Sequence, residues 1–125
     1  MEENKITEKI IQCAFKVHTA FGPGLLESAY KECLYYELLK NKLKVEKEKP
    51  LPLIYEEVKL ECGYRADLYV EDTIIVEVKS VEALHDIHLT QTLTYLKLLG
   101  KRVGLLMNFN VLRLKNGIKR VVNGY

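Results

Sequence analysis

The middle of the chain carries its clearest alternation of apolar and polar residues. The alternation extends from Gly63 to Ser80 and is interrupted by the polar tripeptide Glu71-Asp72-Thr73. β-Branched and aromatic residues on both sides of a polar break predict two β-strands joined by a tight turn. A three-residue loop sets Val70 opposite Ile74 in an antiparallel pair.

The same register brings two carboxylates together. Asp67 lies opposite Glu77, and like charges that face each other across two strands destabilise the pair. We therefore expect a cation between them, either the side chains of Arg65 and Lys79 or a metal ion. Carboxylate oxygens suit a hard divalent ion such as Mg²⁺ or Mn²⁺. Taken alone, the pattern Asp…Glu-x-Lys favours the simpler interpretation, an exposed Glu–Lys pair on a solvated strand.

Periodic apolar residues predict two helices in the first third of the chain. Thr7 is expected to cap the first, which ends near Ala20 where two glycines and a proline follow. The second is expected over 25–42. Glu27 has two interpretations there: with Gly24 as N-cap it bonds back to the cap from the third helical position, or it points inward as a third acidic group. The helix alone favours the cap.

A third helix is predicted at Asp86–Leu99, with Gly100 as its C-terminal cap. His88, Gln91 and Tyr95 stand at i, i+3 and i+7 on this otherwise apolar element and form one polar stripe. Polar groups in such a setting need partners if they are buried. The stripe therefore either joins a polar site or simply faces water.

The C-terminal quarter predicts more strands. The unbroken apolar run 103–107 is typical of a central strand that is covered on both faces. Asn116-Gly117 predicts a two-residue hairpin turn between strands at 111–114 and 118–122. This hairpin is either a solvated sheet edge, which we favour, or a phosphate-contacting flap. Its basic residues are Arg113, Lys115, Lys119 and Arg120.

Composition adds weaker constraints. The 125 residues predict one domain, 1–125, and a formal net charge of +2 permits a polyanionic partner without requiring one. No apolar run approaches a membrane span, and the N-terminus does not resemble a signal peptide, so we expect a cytoplasmic protein without a membrane partner. Three cysteines without metal-ligand spacing favour buried thiols in a reducing compartment: Cys13, Cys33 and Cys62.

The order of the candidate residues resembles the PD-(D/E)XK nuclease superfamily. Glu27 lies on a helix, Asp67 on a strand, and Glu77-Val78-Lys79 on the next strand, while Gln91 and Tyr95 follow on a helix. This arrangement is similar to the branch of the superfamily that carries a Q-x-x-x-Y helix after the E-x-K strand. One departure is visible, because the proline of the superfamily's name is replaced here by an alanine.

A second resemblance is to the small GxxExxY protein family within that superfamily. The segment 24–30, Gly-Leu-Leu-Glu-Ser-Ala-Tyr, matches the motif that names it. The segments 63–67 and 104–109 also look like that family, and the resemblance spans residues from about Ile6 to Asn123.

The resemblance implies an α/β fold, a PD-(D/E)XK nuclease-like sandwich with a central mixed β-sheet flanked by α-helices. It implies a nuclease that cleaves DNA in preference to RNA, using Mg²⁺ or Mn²⁺. Because a domain of this size has little surface to spare for reading a sequence, we expect low specificity, a homodimer or a targeting partner. Asp67 and Glu77 would hold the metal, Glu27 directly or through water, and the Val78 carbonyl would add an oxygen. The implied catalytic residues are Glu27, Asp67, Glu77, Lys79, Gln91 and Tyr95.

A function of another class remains open on the same fold. In a catalytically silent binding module for nucleic acid or protein, Lys79 and Arg65 would neutralise the two carboxylates as a structural ion cluster. A metal titration separates the two functions, because only the nuclease requires a divalent ion.

Overall fold

The computed structural model describes residues 2–124, so Met1 and Tyr125 lie outside the described part. Its α-helices are α1 (Glu3–Phe21), α2 (Glu27–Lys40) and α3 (Asp86–Leu99). Its strands are β1 (Val45–Pro50), β2 (Leu53–Tyr55), β3 (Val58–Leu60), β4 (Arg65–Val70), β5 (Ile74–Lys79), β6 (Val103–Asn108) and β7 (Ile118–Val122).

Five strands form one mixed sheet in the order β1-β4-β5-β6-β7. β5 and β6 are parallel, and the other neighbours are antiparallel. α3 joins the two parallel strands, since a parallel pair needs a crossover connection. β2 and β3 form a separate two-stranded hairpin. The predicted central mixed sheet flanked by helices is therefore confirmed.

Two apolar cores lie on the two faces of the sheet. Alternate residues of β5 divide between them: Val76 packs in the core of α1 and α2, and Ile75 in the core of α3. All six residues of β6 are buried, as predicted for a strand covered on both faces. The bounds predicted for α3 are also confirmed, and Gly100 caps it in the left-handed conformation.

The N-terminal helix boundaries differ from the prediction. α1 already begins at Glu3, so Thr7 lies inside the helix and its hydroxyl donates to the Asn4 carbonyl at 3.0 Å. α2 begins at Glu27 after the cap residue Leu26, so Gly24 is not the cap. Gly24 instead adopts φ 111° in the connecting loop. Glu27 is therefore the first helical residue, and the capping-box interpretation of this side chain is wrong.

The predicted C-terminal hairpin is also wrong. Residues 111–114 form no strand, Leu114–Gly117 is a 3₁₀ helix, and β7 pairs with β6 instead. Gly117 serves close packing here, because a Cβ atom on it would lie 2.2 Å from the Asn108 carbonyl oxygen. β7 is nevertheless a sheet edge, and Arg120 on it bonds to Asn4 Oδ1 at 3.0 Å.

The cysteines and the helices can be compared with the predictions of buried thiols and of no membrane span. All three cysteines are free, although Cys62 is exposed and so departs from the expected burial. Across residues 2–124, no helix combines enough length with enough apolar character to cross a bilayer.

The packing of Gly117 predicts a large loss on Gly117→Ala. The added methyl group would collide with the Asn108 backbone, so we expect the free energy of unfolding to fall by about 2–3 kcal/mol. Gly63→Ala is the control: its Cβ would meet nothing within 4 Å, and its positive φ alone costs about 1 kcal/mol. Urea denaturation measures both, and equal losses would contradict the close approach.

Candidate functional site

The β4–β5 ladder ends where the two acidic residues begin. The predicted pair Val70–Ile74 is confirmed, and regular pairing continues to Leu68–Val76 and then stops. Beyond it, side chains replace the backbone partners. The Asp67 N–H donates to Glu77 Oε2 at 2.8 Å, and the Val78 N–H donates to Asp67 Oδ2 at 2.8 Å.

β4 is also distorted on its other side at the same residue. Lys47 and Lys49 pair with Leu68 and Ala66, but Glu48 between them does not pair with Asp67 and adopts φ 54°. The alternation of β4 breaks as well, because Ala66 packs in the α3 core and Leu68 in the α1/α2 core, as does Val70. Asp67 therefore has no regular strand partner on either β1 or β5.

Burial changes the acidity of both carboxyl groups. Glu77 is only 4% exposed, and burial, followed by the charge of Asp67, raises its pKa to about 8. Burial also raises the pKa of Asp67, although the Val78 hydrogen bond and the charges of Lys31 and Lys79 oppose the rise. Each group is costly to ionise beside the other, so the pair favours a bound proton or a cation.

The cations near the pair are only partly those expected. Lys79 acts on both carboxylates, as predicted. Arg65 instead donates to the Glu48 carbonyl at 3.4 Å. The second cation is Lys31, one helical turn after Glu27. Its charge acts on Asp67, and its ammonium group donates to Glu48 Oε1 at 3.0 Å. Burial lowers the pKa of Lys31, but its bond to Glu48 and the charge of Asp67 together raise it.

The donor set fits a hard divalent ion. One oxygen of each carboxylate accepts a backbone N–H, which leaves Asp67 Oδ1 and Glu77 Oε1 for another partner. The N–H of Val78 points towards β4, so its carbonyl points the same way, because both groups of a strand residue project to one side. Across residues 2–124, however, no three acidic, His or Cys side chains form a ready metal cluster.

Glu27 stands at the edge of this arrangement. Its charge contributes to the raised pKa values of both Asp67 and Glu77. With Ser28, Lys31 and Asp67 it lines a pocket of about 360 Å³. Because Glu27 is exposed and belongs to no three-ligand cluster, its position suits contact through water better than direct coordination.

Two hydroxyl groups fix the loop that carries Glu27. The Tyr30 hydroxyl donates to the Gly22 carbonyl and accepts the Leu25 N–H at 3.1 Å. Ser80, directly after β5, donates to the Leu25 carbonyl at 2.8 Å. The Tyr30 ring stacks on Phe109 at 4.7 Å. The loop before α2 is therefore tied to the end of β5, the strand that bears Glu77.

α3 places one of its two candidate residues beside the acids. Tyr95 is 9% exposed, and its pKa is raised by burial, then by the charges of Glu77 and Asp67. Gln91, one turn earlier, is exposed and lines a pocket with Tyr95. His88 does not extend this stripe, since its Nδ1 accepts the N–H of His85 at 2.9 Å at the start of the helix.

Three supporting residues were missed by sequence reasoning. Lys31 could have been found from its place four residues after Glu27, which puts both side chains on one face of a helix. Ser80 gave no such pattern. Asn108 is 2% exposed and its side chain bonds to both the N–H and the carbonyl of Val81, at 3.1 and 3.0 Å. These bonds hold the segment that leaves the site.

Comparison with known proteins gives one match. A family model described as the PD-(D/E)XK nuclease superfamily matches residues 4–121. Neither the curated proteins nor the solved structures include a significant match to this chain. The mixed five-stranded sheet between helices agrees with the fold of the matched superfamily.

The raised pKa of Glu77 predicts a pH-dependent stability without metal. The unfolded chain loses this proton near pH 4.5, whereas the folded protein keeps it until about pH 8. The folded state binds more protons across that window, so the free energy of unfolding should fall as the pH rises through it. Urea denaturation in EDTA measures the slope.

Glu77→Gln should flatten this slope, because glutamine does not titrate. Glu8→Gln, which changes an exposed carboxylate on α1, should keep it. A wild-type slope equal to that of Glu77→Gln would contradict the assigned acidity.

Proposed function

Because the chain belongs to the PD-(D/E)XK nuclease superfamily, we propose that it is a metal-dependent nuclease that hydrolyses phosphodiester bonds of DNA, in preference to RNA. The observation that carries the proposal is the acid pair at the broken ladder. Glu77 is buried and Asp67 is half-buried, the charge of Asp67 helps to raise the pKa of Glu77, and among residues 2–124 one oxygen of each carboxylate has no backbone partner. A purely structural pair would gain stability from losing one charge.

We also place the chain in the GxxExxY branch. The structure of the motif supports this, since each of its three residues has a distinct task. Gly24 adopts a backbone conformation that favours glycine, Glu27 lines a pocket with Asp67, and Tyr30 anchors the loop between them.

Nucleases of this superfamily generally use divalent metal ions. In our proposal Asp67 Oδ1, Glu77 Oε1 and the Val78 carbonyl hold Mg²⁺ or Mn²⁺, with Glu27 in contact through water. The ion would polarise the scissile phosphate and lower the pKa of the attacking water. Its charge would also offset the burial and the neighbouring acidic charges that raise the pKa values of both carboxyl groups.

Two lysines complete the electrostatics of the proposed reaction. Lys79 projects from the same strand face as Glu77 and acts on both carboxylates. Its ammonium group would orient the attacking water and stabilise the negative charge that develops on the phosphate. Lys31 is held by Glu48 beside Asp67 and would bind a neighbouring phosphate. Gln91 and Tyr95 would position the nucleic-acid backbone or the strand that carries the acids.

The silent binding module keeps one observation in its favour. Lys31 and Lys79 already oppose the rise in the pKa of Asp67, so the pair has cations without any metal. In that case the acids would form a structural ion cluster, and divalent ions would leave stability unchanged.

The proposed partners and compartment rest on the size of the domain and its thiols. A domain of 125 residues has little surface to spare for reading a long sequence, so we propose low sequence specificity, a homodimer or a targeting partner. The three free cysteines support a reducing compartment, and we propose the cytoplasm.

Metal binding should stabilise the protein. An ion at about a hundred times its Kd adds roughly 2.7 kcal/mol to the free energy of unfolding, so millimolar Mn²⁺ should raise the Tm clearly over its value in EDTA. Asp67→Asn should abolish the rise, and Glu8→Gln should keep it. Identical melting of the wild type in Mn²⁺ and EDTA would leave the structural ion cluster as the better account.

Lys79→Met should separate catalysis from metal binding. The variant keeps the aliphatic stem, so the fold should survive. Its affinity for Mn²⁺ should stay equal or rise, because a competing cation has gone. Turnover of a plasmid or a labelled single strand should fall by roughly 10²-fold, the scale of losing one preorganised charge-stabilising group.

Lys101→Met is the matched control. The charge of Lys101 acts on Asp72, in the turn at the far end of the hairpin from the site, so its turnover should equal that of the wild type. Equal residual activity in Lys79→Met and the wild type would point to a contaminating nuclease and contradict the role of Lys79.

A further inference from the structure

A second pocket is lined by Tyr95, the side chain whose pKa the acid pair helps to raise. It has a volume of about 320 Å³, near the lower end of the roughly 300–1,000 Å³ found for small-ligand pockets. We call it the Tyr64 pocket. The residues that matter for the argument are Tyr64, Ile87, Gln91, Thr94, Tyr95 and Leu98.

Apolar surface is left open at this pocket. Ile87, in the first turn of α3, is 69% exposed, and Tyr64, which lines the same pocket, is 45% exposed. The rings of Tyr64 and Tyr95 are 6.2 Å apart and inclined at 55°. They are therefore inclined to each other and not stacked, and because Tyr95 is 9% exposed, the exposed ring of Tyr64 offers the aromatic surface to a ligand.

The polar groups of the pocket suit a neutral flat ligand. Gln91 offers an amide donor and acceptor, and Thr94 offers a hydroxyl group. No charged side chain of the described residues lines the pocket, whereas lysine side chains lie beside the acid pair. A ligand that spans both places therefore has an uncharged planar part and an anionic part. A nucleotide unit within a strand has this division.

We propose that the Tyr64 pocket receives one unstacked nucleobase and so makes single-stranded or frayed nucleic acid the substrate class. The proposal rests on the nuclease function proposed above and adds to it a subsite for a base. Tyr95 connects the two, because its ring lines the pocket and its hydroxyl-bearing side chain lies within the electrostatic reach of Glu77 and Asp67. A base in the pocket would therefore place its phosphate on the side of the acid pair.

A paired duplex fits this pocket poorly. Its bases are covered by their neighbours, and extrusion of one costs unstacking and unpairing energy. Stacking on an aromatic side chain tolerates any base, since every base has a π-face. The pocket thus selects the strand form and leaves the sequence open, in agreement with the small size of the domain.

Binding to short labelled oligonucleotides tests the proposal without catalysis. Fluorescence anisotropy of the full chain in EDTA would compare a single-stranded oligothymidylate, its RNA counterpart, an abasic strand of the same length and a duplex. We expect the strands that carry bases to bind about tenfold more tightly than the abasic strand, the scale of one stacked base. We also expect them to bind more tightly than the duplex.

Three variants locate the effect. Tyr64→Leu keeps an apolar side chain but loses the ring, and should lower affinity about tenfold for base-bearing strands only. The Tyr64 carbonyl accepts the Leu51 N–H at 2.8 Å. This bond does not involve the side chain, so it should persist in the variant. Tyr64→Phe should bind like the wild type. So should Tyr36→Leu, a matched change of a 64% exposed tyrosine on α2.

The outcomes distinguish this inference from the proposed function. Equal affinity for abasic and base-bearing strands, equal or tighter binding of the duplex, or equal losses in Tyr64→Leu and Tyr36→Leu would each overturn the base subsite. Metal-dependent cleavage would survive any of those results. Conversely, base-dependent binding by a protein without cleavage in Mn²⁺ would support the subsite and refute the nuclease.

Discussion

The candidate site depends on two carboxylates that replace backbone carbonyls as hydrogen-bond acceptors between two strands. In a regular hairpin, Asp67 and Glu77 would face each other across paired strands, and water would screen their charges. Here the ladder opens, each side chain accepts an N–H from the other strand, and Glu77 is almost fully buried. A pKa raised to about 8 corresponds to several kcal/mol against ionisation. A bound proton or a cation can offset this cost.

The surrounding elements hold that point in place from different directions. α2 brings Glu27 and Lys31 to it, and its preceding loop is tied down through Tyr30 and Ser80. The crossover helix α3 adds Tyr95 from the other face of the sheet. The hydroxyl groups of Tyr30 and Ser80 thus fix the loop before Glu27, while Tyr95 is buried close enough for the acid pair to raise its pKa.

Local patterns predicted the elements well where residues close together in the sequence carry the signal. The turn at 71–73, the bounds of α3 and the burial of β6 follow from alternation, a glycine cap and an unbroken apolar run. The Asn-Gly dipeptide misled because Gly117 serves close packing against Asn108 and makes no turn. Thr7 misled because the four residues before it, 3–6, also belong to the helix.

The candidate site was only partly predictable for a related reason. Spacing along the strands placed Asp67, Glu77 and Lys79 on one face, but it could not show that side chains would replace the ladder. Lys31 and Glu48 are 17 positions apart in the chain. Tyr64 lies just before β4 and contacts Tyr95 on α3. Such contacts depend on tertiary packing, which periodicity within a single segment does not reveal.

The most direct test of this account is the number of protons released when Mn²⁺ binds. Calorimetric titration at pH 7, repeated in buffers with different heats of ionisation, measures that number. Because Glu77 is mostly protonated at pH 7 in the absence of metal, the account predicts the release of about one proton per ion in the wild type. Glu77→Gln should release close to none. Binding of Mn²⁺ by the wild type without proton release, or no binding at all, would contradict it.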